Sequence, residues 1–254
     1  GAQILAKLGY AAIVLEGEYS GDDLYVVRVS TEGVKIEADP SVKMATNYQM
    51  MDKFLGEYED KGCMLSIGPA GEMRMANSTI AVTDMEGRPT RHAGRGGVGA
   101  VMGSKKVKAI VVDMNKMPTF HDRKKVMGGG REYGKLLRED KAIEAFSMYG
   151  TAMVSDLTNQ LGGLPTRNFS DGRLVDASEE TLKLGGSYIR DLTIERGGEP
   201  THACMPGCMI KCSNVYVDDK GEEMVSPLEY ESLGLLGSNC GLKDPDDVAR
   251  TNHQ

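Results

Sequence analysis

The sequence predicts an α+β protein, in which a mixed α/β part over residues 1–116 is followed by a mainly helical part over residues 117–254. Two observations favour this division. Short runs of β-branched residues separated by Gly/Asp turns lie in the first part. After Pro118, segments with a helical spacing of apolar residues dominate and β-branched runs nearly vanish. A chain of 254 residues can form one large domain or two ordinary ones.

In the first part, strands are predicted where short apolar runs lie between turns, and a helix where apolar residues recur at helical spacing. The predicted strands cover residues 11–15, 24–29, 34–37 and 107–112, and the predicted helix covers residues 46–59. The run Val107–Val112 is the most compact of these, which is typical of a buried strand.

In the second part, helical spacing predicts helices over residues 123–139, 142–161 and 179–192. Asp176 and Glu179 are spaced as a capping box for the last of these. A further helix is predicted after Asp244, since Pro245 is favoured at the first helical position and acidic residues follow it.

Charge and composition exclude several classes of protein. The net charge is -7 and the basic runs are short, which disfavours a nucleic-acid partner. The sequence contains no apolar run of about 18 residues, so that no membrane span is predicted. No signal peptide is recognisable. The sequence begins at Gly1 without an initiator Met, which fits a processed chain, a tag remnant or a fragment.

Three of the five cysteines lie within nine residues, as Cys204, Cys208 and Cys212. An odd total with this clustering is a poor disulfide framework, and in a reducing compartment such a cluster more often binds a metal. We therefore expect a cytoplasmic metal-binding protein. Cys240, and more weakly Cys63, could supply a further ligand, but a buried small residue is the favoured interpretation of each.

Pro206 and Gly207 interrupt the cysteine cluster and disfavour a regular helix there. A loop around an iron–sulfur cluster, with a fourth ligand from elsewhere, fits the pattern best. A zinc site is an alternative because His202 is close, although no second cysteine pair exists. The spacing is one residue longer than that of S-adenosylmethionine radical enzymes. Buried inert thiols are a further alternative.

Glycine is abundant, at 32 residues against roughly 7% in average proteins, and a dense group lies between Gly94 and Gly103. Gly94, Gly96 and Gly99 form a G-x-G-x-x-G pattern, but no hydrophobic strand precedes it as in a dinucleotide site. The spacing of a phosphate-binding P-loop is not met either. A nucleotide site is therefore disfavoured.

The same glycine loop still has the chemistry of an anion cradle. It combines bare backbone amides with two arginines, Arg91 and Arg95, and a helix predicted to begin near Val98. Since arginine can hold phosphate through two parallel hydrogen bonds, we predict an anionic, phosphate-bearing cofactor here.

Residues 91–105, with the sequence RHAGRGGVGAVMGSK, closely resemble the signature of the tungsten-containing aldehyde:ferredoxin oxidoreductase family. The segments GGLPTRNF at 162–169 and PLEYES at 227–232 resemble the same family by their positions. The resemblance extends over essentially the whole chain.

The resemblance implies an enzyme with a tungsten or molybdenum ion held by two pterins beside one [4Fe–4S] cluster, and it allows a magnesium ion bridging the pterin phosphates. Such enzymes oxidise an aldehyde to a carboxylic acid and pass electrons through the cluster to ferredoxin. The first part would then be a pterin-binding domain, and the second would carry the cluster. Expected partners are ferredoxin or another electron carrier and a small aldehyde or acid, in a homodimer or a multi-subunit complex.

The resemblance also carries roles over to individual residues. Contacts to the pterins and their phosphates, partly through backbone atoms, fall to Arg91, His92, Gly94 and Arg95. The cluster ligands would be Cys204, Cys208 and Cys212. Glu231 matches a glutamate near the metal that assists proton transfer, with an exposed helix charge as the alternative.

Two features depart from the family pattern. The usual cysteine spacing is C-x2-C-x3-C, and the longer first gap here places Cys204 one residue out of register. Family members are also longer, so we expect further pterin-binding segments and the fourth cysteine to lie outside this chain. The chain alone would then not retain the bis-pterin metal. A non-catalytic iron–sulfur electron-transfer subunit is the alternative function, although it would not need the anion cradle.

Overall fold

The computed structural model of the chain describes residues 1–17, 19–58, 62–113, 120–176 and 178–253, and for residues 55–58 it describes the backbone alone. The chain divides into two compact units, Gly1–Lys124 and Lys125–Gln254. The boundary predicted after Lys116 lies outside the described residues. The predicted α+β class is confirmed. No described helix is long and apolar enough to cross a membrane.

A six-stranded sheet in the order β2-β1-β6-β3-β4-β5 forms the frame of the first unit. Its strands are β1 (Tyr25–Ser30), β2 (Gly33–Ala38), β3 (Cys63–Ser66), β4 (Ile80–Val82), β5 (Arg91–Ala93) and β6 (Val107–Val112). The described helices are α1 (Ala2–Lys7), α2 (Asn47–Tyr58), α3 (Pro69–Glu72) and α4 (Val98–Ser104). The pair β1–β6 is parallel, whereas β1–β2, β3–β6, β3–β4 and β4–β5 are antiparallel.

The central strand β6 explains why its sequence is so uniformly apolar. All six of its residues are buried, because α2 packs on one face of the sheet with Phe54 and α4 packs on the other with Met102. The predicted strands near β1, β2 and β6 and the predicted helix at α2 are thus confirmed, the latter within its described residues.

Lys108 is the one charged residue of β6, and its side chain is nevertheless fully buried. The ammonium donates to the Ala45 carbonyl at 2.6 Å and to the Glu72 carboxylate. The same carboxylate accepts from the Met44 N–H. Burial lowers the pKa of Lys108 and the Glu72 carboxylate opposes that shift. Because a buried charge without a partner is costly, this pair ties α3 to the centre of the sheet.

The strand predicted over residues 11–15 is wrong, because this segment is irregular. Its apolar residues Ile13 and Leu15 pack, half-buried, against the α4 side of the sheet core. Gly9 and Gly17 bracket the segment with φ of +87° and +86°. The apolar pattern therefore reports burial and not strand pairing.

The second unit is mainly helical but contains a three-stranded antiparallel sheet that the sequence did not predict. Its helices are α5 (Arg123–Glu139), which begins two residues before the unit does, α6 (Lys141–Tyr149), α7 (Met153–Leu161), α8 (Gly186–Glu195) and α9 (Pro245–His253). The strands are β7 (Glu199–His202), β8 (Ser213–Val217) and β9 (Glu223–Val225), and a π-helical segment covers Ser232–Gly237. The predicted helices at α5 and α9 are confirmed.

The other two helix predictions are corrected by local contacts. The helix predicted over 142–161 is broken at Gly150, which has φ of +63°. The helix predicted from Glu179 begins only at Gly186. The Asp176 carboxylate accepts from the Ser178 N–H in a turn, and the N-terminus of α8 is capped from α7 by Asp156, which accepts from the Gly186 N–H at 2.7 Å.

A polar cluster joins β8 to α8 and α9. The hydroxyl of Tyr216, a fully buried residue of β8, donates to Asp246 at 2.5 Å, and Arg196 donates to both oxygens of Asp246 at 2.6 and 3.0 Å. Burial and the bond to Asp246 raise the pKa of Tyr216. Burial alone would raise the pKa of Asp246, but the hydrogen bonds from Arg196 and Tyr216 outweigh it and lower that pKa.

Candidate functional site

The glycine loop connects β5 to α4 and is fixed to the preceding chain. β5 pairs antiparallel with β4, with His92 opposite Ala81 and Arg91 opposite Val82. Helix α4 begins at Val98, as predicted, after Gly97 in the left-handed conformation. The loop therefore enters from a sheet edge and ends in a helix of two turns.

The glycines of this loop and of helix α4 fall into two groups. A Cβ at Gly97, Gly99 or Gly103 would lie 2.4, 2.5 or 2.0 Å from the carbonyl oxygens of Ala76, Thr79 and Gly71, respectively. These three glycines are required by close backbone packing. At Gly94 and Gly96, by contrast, a Cβ would meet nothing within 4 Å. The backbone there faces open space that a ligand could approach.

The four residues that the sequence predicted to bind a cofactor lie in β5 and in the loop that follows it. His92, Gly94 and Arg95 are exposed and Arg91 is half-buried. His92 Nδ1 lies 2.8 Å from Thr79 Oγ1, a contact that sequence reasoning missed because Thr79 lies outside the signature. Although the residue's surface is exposed, local desolvation lowers the pKa of His92, which favours the neutral ring.

The loop fits an anionic group on two observations. Bare backbone at Gly94 and Gly96 faces open space beside the exposed Arg95 guanidinium. In addition, Thr90 Oγ1, next to Arg91, is buried and has no hydrogen-bond partner among the described residues. A buried polar atom of this kind calls for a partner.

The three clustered cysteines lie in the loop that joins β7 to β8. The strands pair antiparallel, with His202 opposite Ser213, so that residues 203–212 form a hairpin loop without helix, as predicted. Gly207 turns this loop with φ of +79°, and the Cys208 N–H donates to the Met205 carbonyl at 3.2 Å. All three thiols are free and half-buried.

Residues of α5, α6 and the α6–α7 junction pack closely against the cysteine loop. A Cβ on Gly134 of α5 would lie 2.9 Å from Met209 Sδ. The Ser147 hydroxyl of α6 donates to the Ile210 carbonyl. A Cβ on Gly150 would lie 2.7 Å from the Cys212 carbonyl oxygen. The break between α6 and α7 therefore makes room for the last cysteine.

The structure brings the three thiols into electrostatic contact. Burial raises the pKa of Cys212, and the nearby Glu229, Cys204 and Cys208 raise it further. Within the described part of the chain, the three Sγ atoms do not all lie within 4.8 Å of one another, as closely packed ligands of a single ion do. Several free thiols in one irregular loop fit the donor set of an iron–sulfur cluster.

The remaining cysteines and the predicted glutamate lie in different environments. Cys63 is buried in β3 with 4% of its surface exposed, whereas Cys240 is exposed, so that the buried interpretation of Cys240 is wrong. Glu231 is also exposed and directly precedes the π-helical segment, a rare conformation that is frequent at functional sites. Glu229, which acts on Cys212, is a residue that sequence reasoning missed.

Buried Asn214 links the strand that leaves the cysteine loop to the chain before these glutamates. Its side-chain amide donates to the Leu228 carbonyl at 2.9 Å and accepts from the Leu228 N–H at 2.8 Å. The Ser226 hydroxyl donates to the Asn214 carbonyl at 2.9 Å. Since Asn214 follows Cys212 by two residues, this network fixes Glu229 relative to the last cysteine.

Comparison with known proteins relates both parts of the chain to one family. The model of the aldehyde ferredoxin oxidoreductase N-terminal domain matches residues 1–114, and that of domains 2 and 3 matches residues 129–254. A tungsten-containing aldehyde ferredoxin oxidoreductase of Pyrococcus horikoshii is 35% identical over 251 residues, which cover 96% of this chain and 38% of that protein. One of Thermococcus kodakarensis is 34% identical and covers 97% and 38%, respectively.

Two more distant proteins also match, one by sequence and one by fold. An aliphatic sulfonate oxidoreductase, WOR-like subunit, of Pyrococcus furiosus is 22% identical over 96% of this chain and 39% of its own length. The active site complex BamBC of benzoyl coenzyme A reductase, solved with 1,5-dienoyl-CoA, gives a TM-score of 0.65 at 18% identity, covering 91% of this chain and 35% of that one. The chain thus spans about two fifths of the length of the curated relatives it matches.

Proposed function

The chain belongs to the aldehyde ferredoxin oxidoreductase family, and on that premise we propose that it forms part of a tungstopterin or molybdopterin iron–sulfur oxidoreductase. Its reaction is the oxidation of an aldehyde to a carboxylic acid, with electrons passed through a [4Fe–4S] cluster to ferredoxin. The observation that carries this proposal is that one chain holds both a glycine loop with bare, open backbone and a hairpin loop with three free thiols.

In this proposal the glycine loop holds the pterin phosphates. The arginines Arg91 and Arg95 neutralise them, the backbone at Gly94 allows their close approach, and His92 donates a hydrogen bond. The unpartnered hydroxyl of Thr90 adds a further polar contact. A magnesium ion bridging the phosphates belongs to the same proposal.

The cysteine loop holds the iron–sulfur cluster through Cys204, Cys208 and Cys212, with the fourth ligand from outside the loop. When bound, the bis-pterin metal supplies oxygen-atom and two-electron chemistry, and the cluster conducts the electrons away. Glu231, exposed at the start of the π-helical segment, accepts or supplies the proton of the reaction. Glu229 raises the pKa of the Cys212 thiol, and its negative charge would likewise make a bound cluster harder to reduce.

The partners follow from this chemistry. We propose ferredoxin or a similar electron carrier as the acceptor, a small aldehyde or acid as the substrate, and a cytoplasmic enzyme that works as a homodimer or within a multi-subunit complex. The reducing conditions of the cytoplasm suit free thiols of this kind.

Anaerobic reconstitution with iron and sulfide tests the cluster. Each of Cys204→Ser, Cys208→Ser and Cys212→Ser should abolish or strongly reduce bound iron, as measured by metal analysis and electron paramagnetic resonance. Met205→Ser is the matched control, since it changes an exposed residue of the same loop that carries no thiol. Full iron binding by the Cys204, Cys208 and Cys212 variants would refute the assignment.

Charge reversal in the glycine loop tests the cofactor assignment separately. Arg95→Glu, introduced into the complete family enzyme that contains this segment, should lower its pterin content at least tenfold because phosphate is repelled. Arg131→Glu reverses an exposed charge on α5 and serves as the control. Normal pterin content in Arg95→Glu would count against the whole assignment of the loop and would favour an electron-transfer subunit.

A further inference from the structure

Thr79 contacts His92, which leads into the glycine loop, although Thr79 itself lies in an earlier segment of the chain. It directly precedes β4, and its Oγ1 lies 2.8 Å from His92 Nδ1. Because β4 and β5 pair with Ala81 opposite His92, the contact joins the end of one strand to the middle of its neighbour.

Backbone packing holds the segment that carries Thr79 against the glycine loop. The Gly99 N–H donates to the Ser78 carbonyl at 3.1 Å, and a Cβ on Gly99 would lie 2.5 Å from the Thr79 carbonyl oxygen. A Cβ on Gly97 would lie 2.4 Å from the Ala76 carbonyl oxygen. Thr79 therefore cannot move away from His92 unless the loop itself opens.

The chemistry of the imidazole gives this contact a consequence. A neutral histidine carries its proton on one ring nitrogen, and the hydrogen bond made by the other nitrogen decides which one. A threonine hydroxyl can donate or accept, whereas an ionised phosphate oxygen only accepts. Desolvation lowers the pKa of His92 and so favours the neutral ring, in which a phosphate oxygen can accept only from the nitrogen that carries the proton.

We propose that Thr79 is a positioning residue, whose hydroxyl donates to Nδ1 of His92 and keeps the proton on Nε2, where a phosphate oxygen of the cofactor accepts it. This inference rests on the proposed function, because it takes a phosphate-bearing cofactor as the partner of His92. Thr79 itself touches neither cofactor nor substrate; it sets which face of the histidine is a donor.

Nuclear magnetic resonance of ¹⁵N-labelled histidine in the chain tests the tautomer directly, with the His92 signal identified by its loss in His92→Gln. The native chain and Thr79→Ser should carry the proton on Nε2, and Thr79→Val should show a mixture of tautomers. Thr83→Val is the matched control, since Thr83 follows the same strand and accepts from the Met64 N–H at 3.1 Å. A proton on Nδ1 in the native chain, or an unchanged tautomer in Thr79→Val, would overturn the inference.

Calorimetric titration with inorganic pyrophosphate separates this inference from the proposed function. Thr79→Val should bind pyrophosphate about twofold more weakly than the native chain and Thr79→Ser, because a ring divided about equally between the two tautomers has its proton on Nε2 for only half of the time. A changed tautomer with equal pyrophosphate affinity would support the positioning of the ring and refute its contact with phosphate. An unchanged tautomer with normal pyrophosphate binding would refute the role of Thr79 and leave the anion cradle standing.

Discussion

In the proposed function, the glycine loop and the cysteine loop each hold a cofactor, but they do so with different parts of the chain. In the glycine loop the backbone is the binding surface, and its shape is set by three glycines that pack against carbonyl oxygens. In the cysteine loop the proposed ligands are side chains, and the shape of the loop is set by residues of other elements, such as Ser147 and Gly150. The glycines that shape the first loop can therefore be recognised in its own sequence, whereas the residues that shape the cysteine loop lie elsewhere in the chain.

The largest effect on unfolding free energy is expected in the first unit, which contains the glycine loop. Glu72→Ala leaves the buried Lys108 ammonium without its carboxylate and should cost about 3–5 kcal/mol of unfolding free energy. Glu32→Ala, which removes an exposed partner of Lys35, should have little effect. Urea denaturation, with hydrogen exchange of the β6 amides to assign the unit, measures both. Equal costs for the two variants would show that the buried pair does not support this unit.

Two glycine-to-alanine substitutions, one in each unit, should change the unfolding free energy in opposite directions. Gly103→Ala places a Cβ 2.0 Å from the Gly71 carbonyl oxygen and should destabilise the first unit by about 3 kcal/mol. Gly129→Ala in α5 meets nothing within 4 Å and should stabilise by up to about 1 kcal/mol, since alanine favours helix. Thermal unfolding of both variants measures the difference. A neutral Gly103→Ala would contradict the packing argument.

In the second unit, Asp246→Ala removes the acceptor of Arg196 and Tyr216 and should cost about 2 kcal/mol at neutral pH. The folded pKa of Asp246 is lowered from its ordinary value of 3.8. Its contribution is therefore full above that value and is lost as the pH falls through the lower folded pKa. Asp247→Ala, whose partner Arg250 is mainly exposed, is the control.

Urea denaturation between pH 7 and pH 3 measures this dependence. The gap in unfolding free energy between the native chain and Asp246→Ala should narrow below about pH 4. A gap that is constant over the whole range would show that the carboxylate charge is not what stabilises the cluster of Arg196, Tyr216 and Asp246.

A smaller cost in stability than at Asp246, but a specific effect on iron binding, is expected at Gly150. Gly150→Ala combines a φ of +63° with a Cβ 2.7 Å from the Cys212 carbonyl oxygen, and should cost about 1–2 kcal/mol while reducing bound iron after reconstitution. Gly197→Ala places a side chain at a φ of +79° outside the cysteine loop and meets nothing within 4 Å, so that it controls for strain alone. Equal iron binding by the two variants would dissociate Gly150 from the position of Cys212.

The elements that were predictable are those with long or compact patterns. β6, α5 and the start of α4 at Val98 could be predicted because their own residues decide them. The helix over 142–161 was not predictable as two helices, since Gly150 breaks it where the Cys212 carbonyl approaches. The start of α8 likewise depends on Asp156 of another helix. In the glycine loop the predicted residues lie together, but Thr79 could be found only from the strand pairing.

The β7–β8 pairing has a consequence for the order of assembly. Because His202 and Ser213 pair across the hairpin, we expect backbone hydrogen bonds to bring Cys204, Cys208 and Cys212 into one loop before iron binds. The chain entropy lost in bringing three ligands together belongs to folding, and cluster insertion adds little to it. Unlike a zinc finger, which is unfolded without its metal, we expect this unit to fold first and to receive its cluster afterwards.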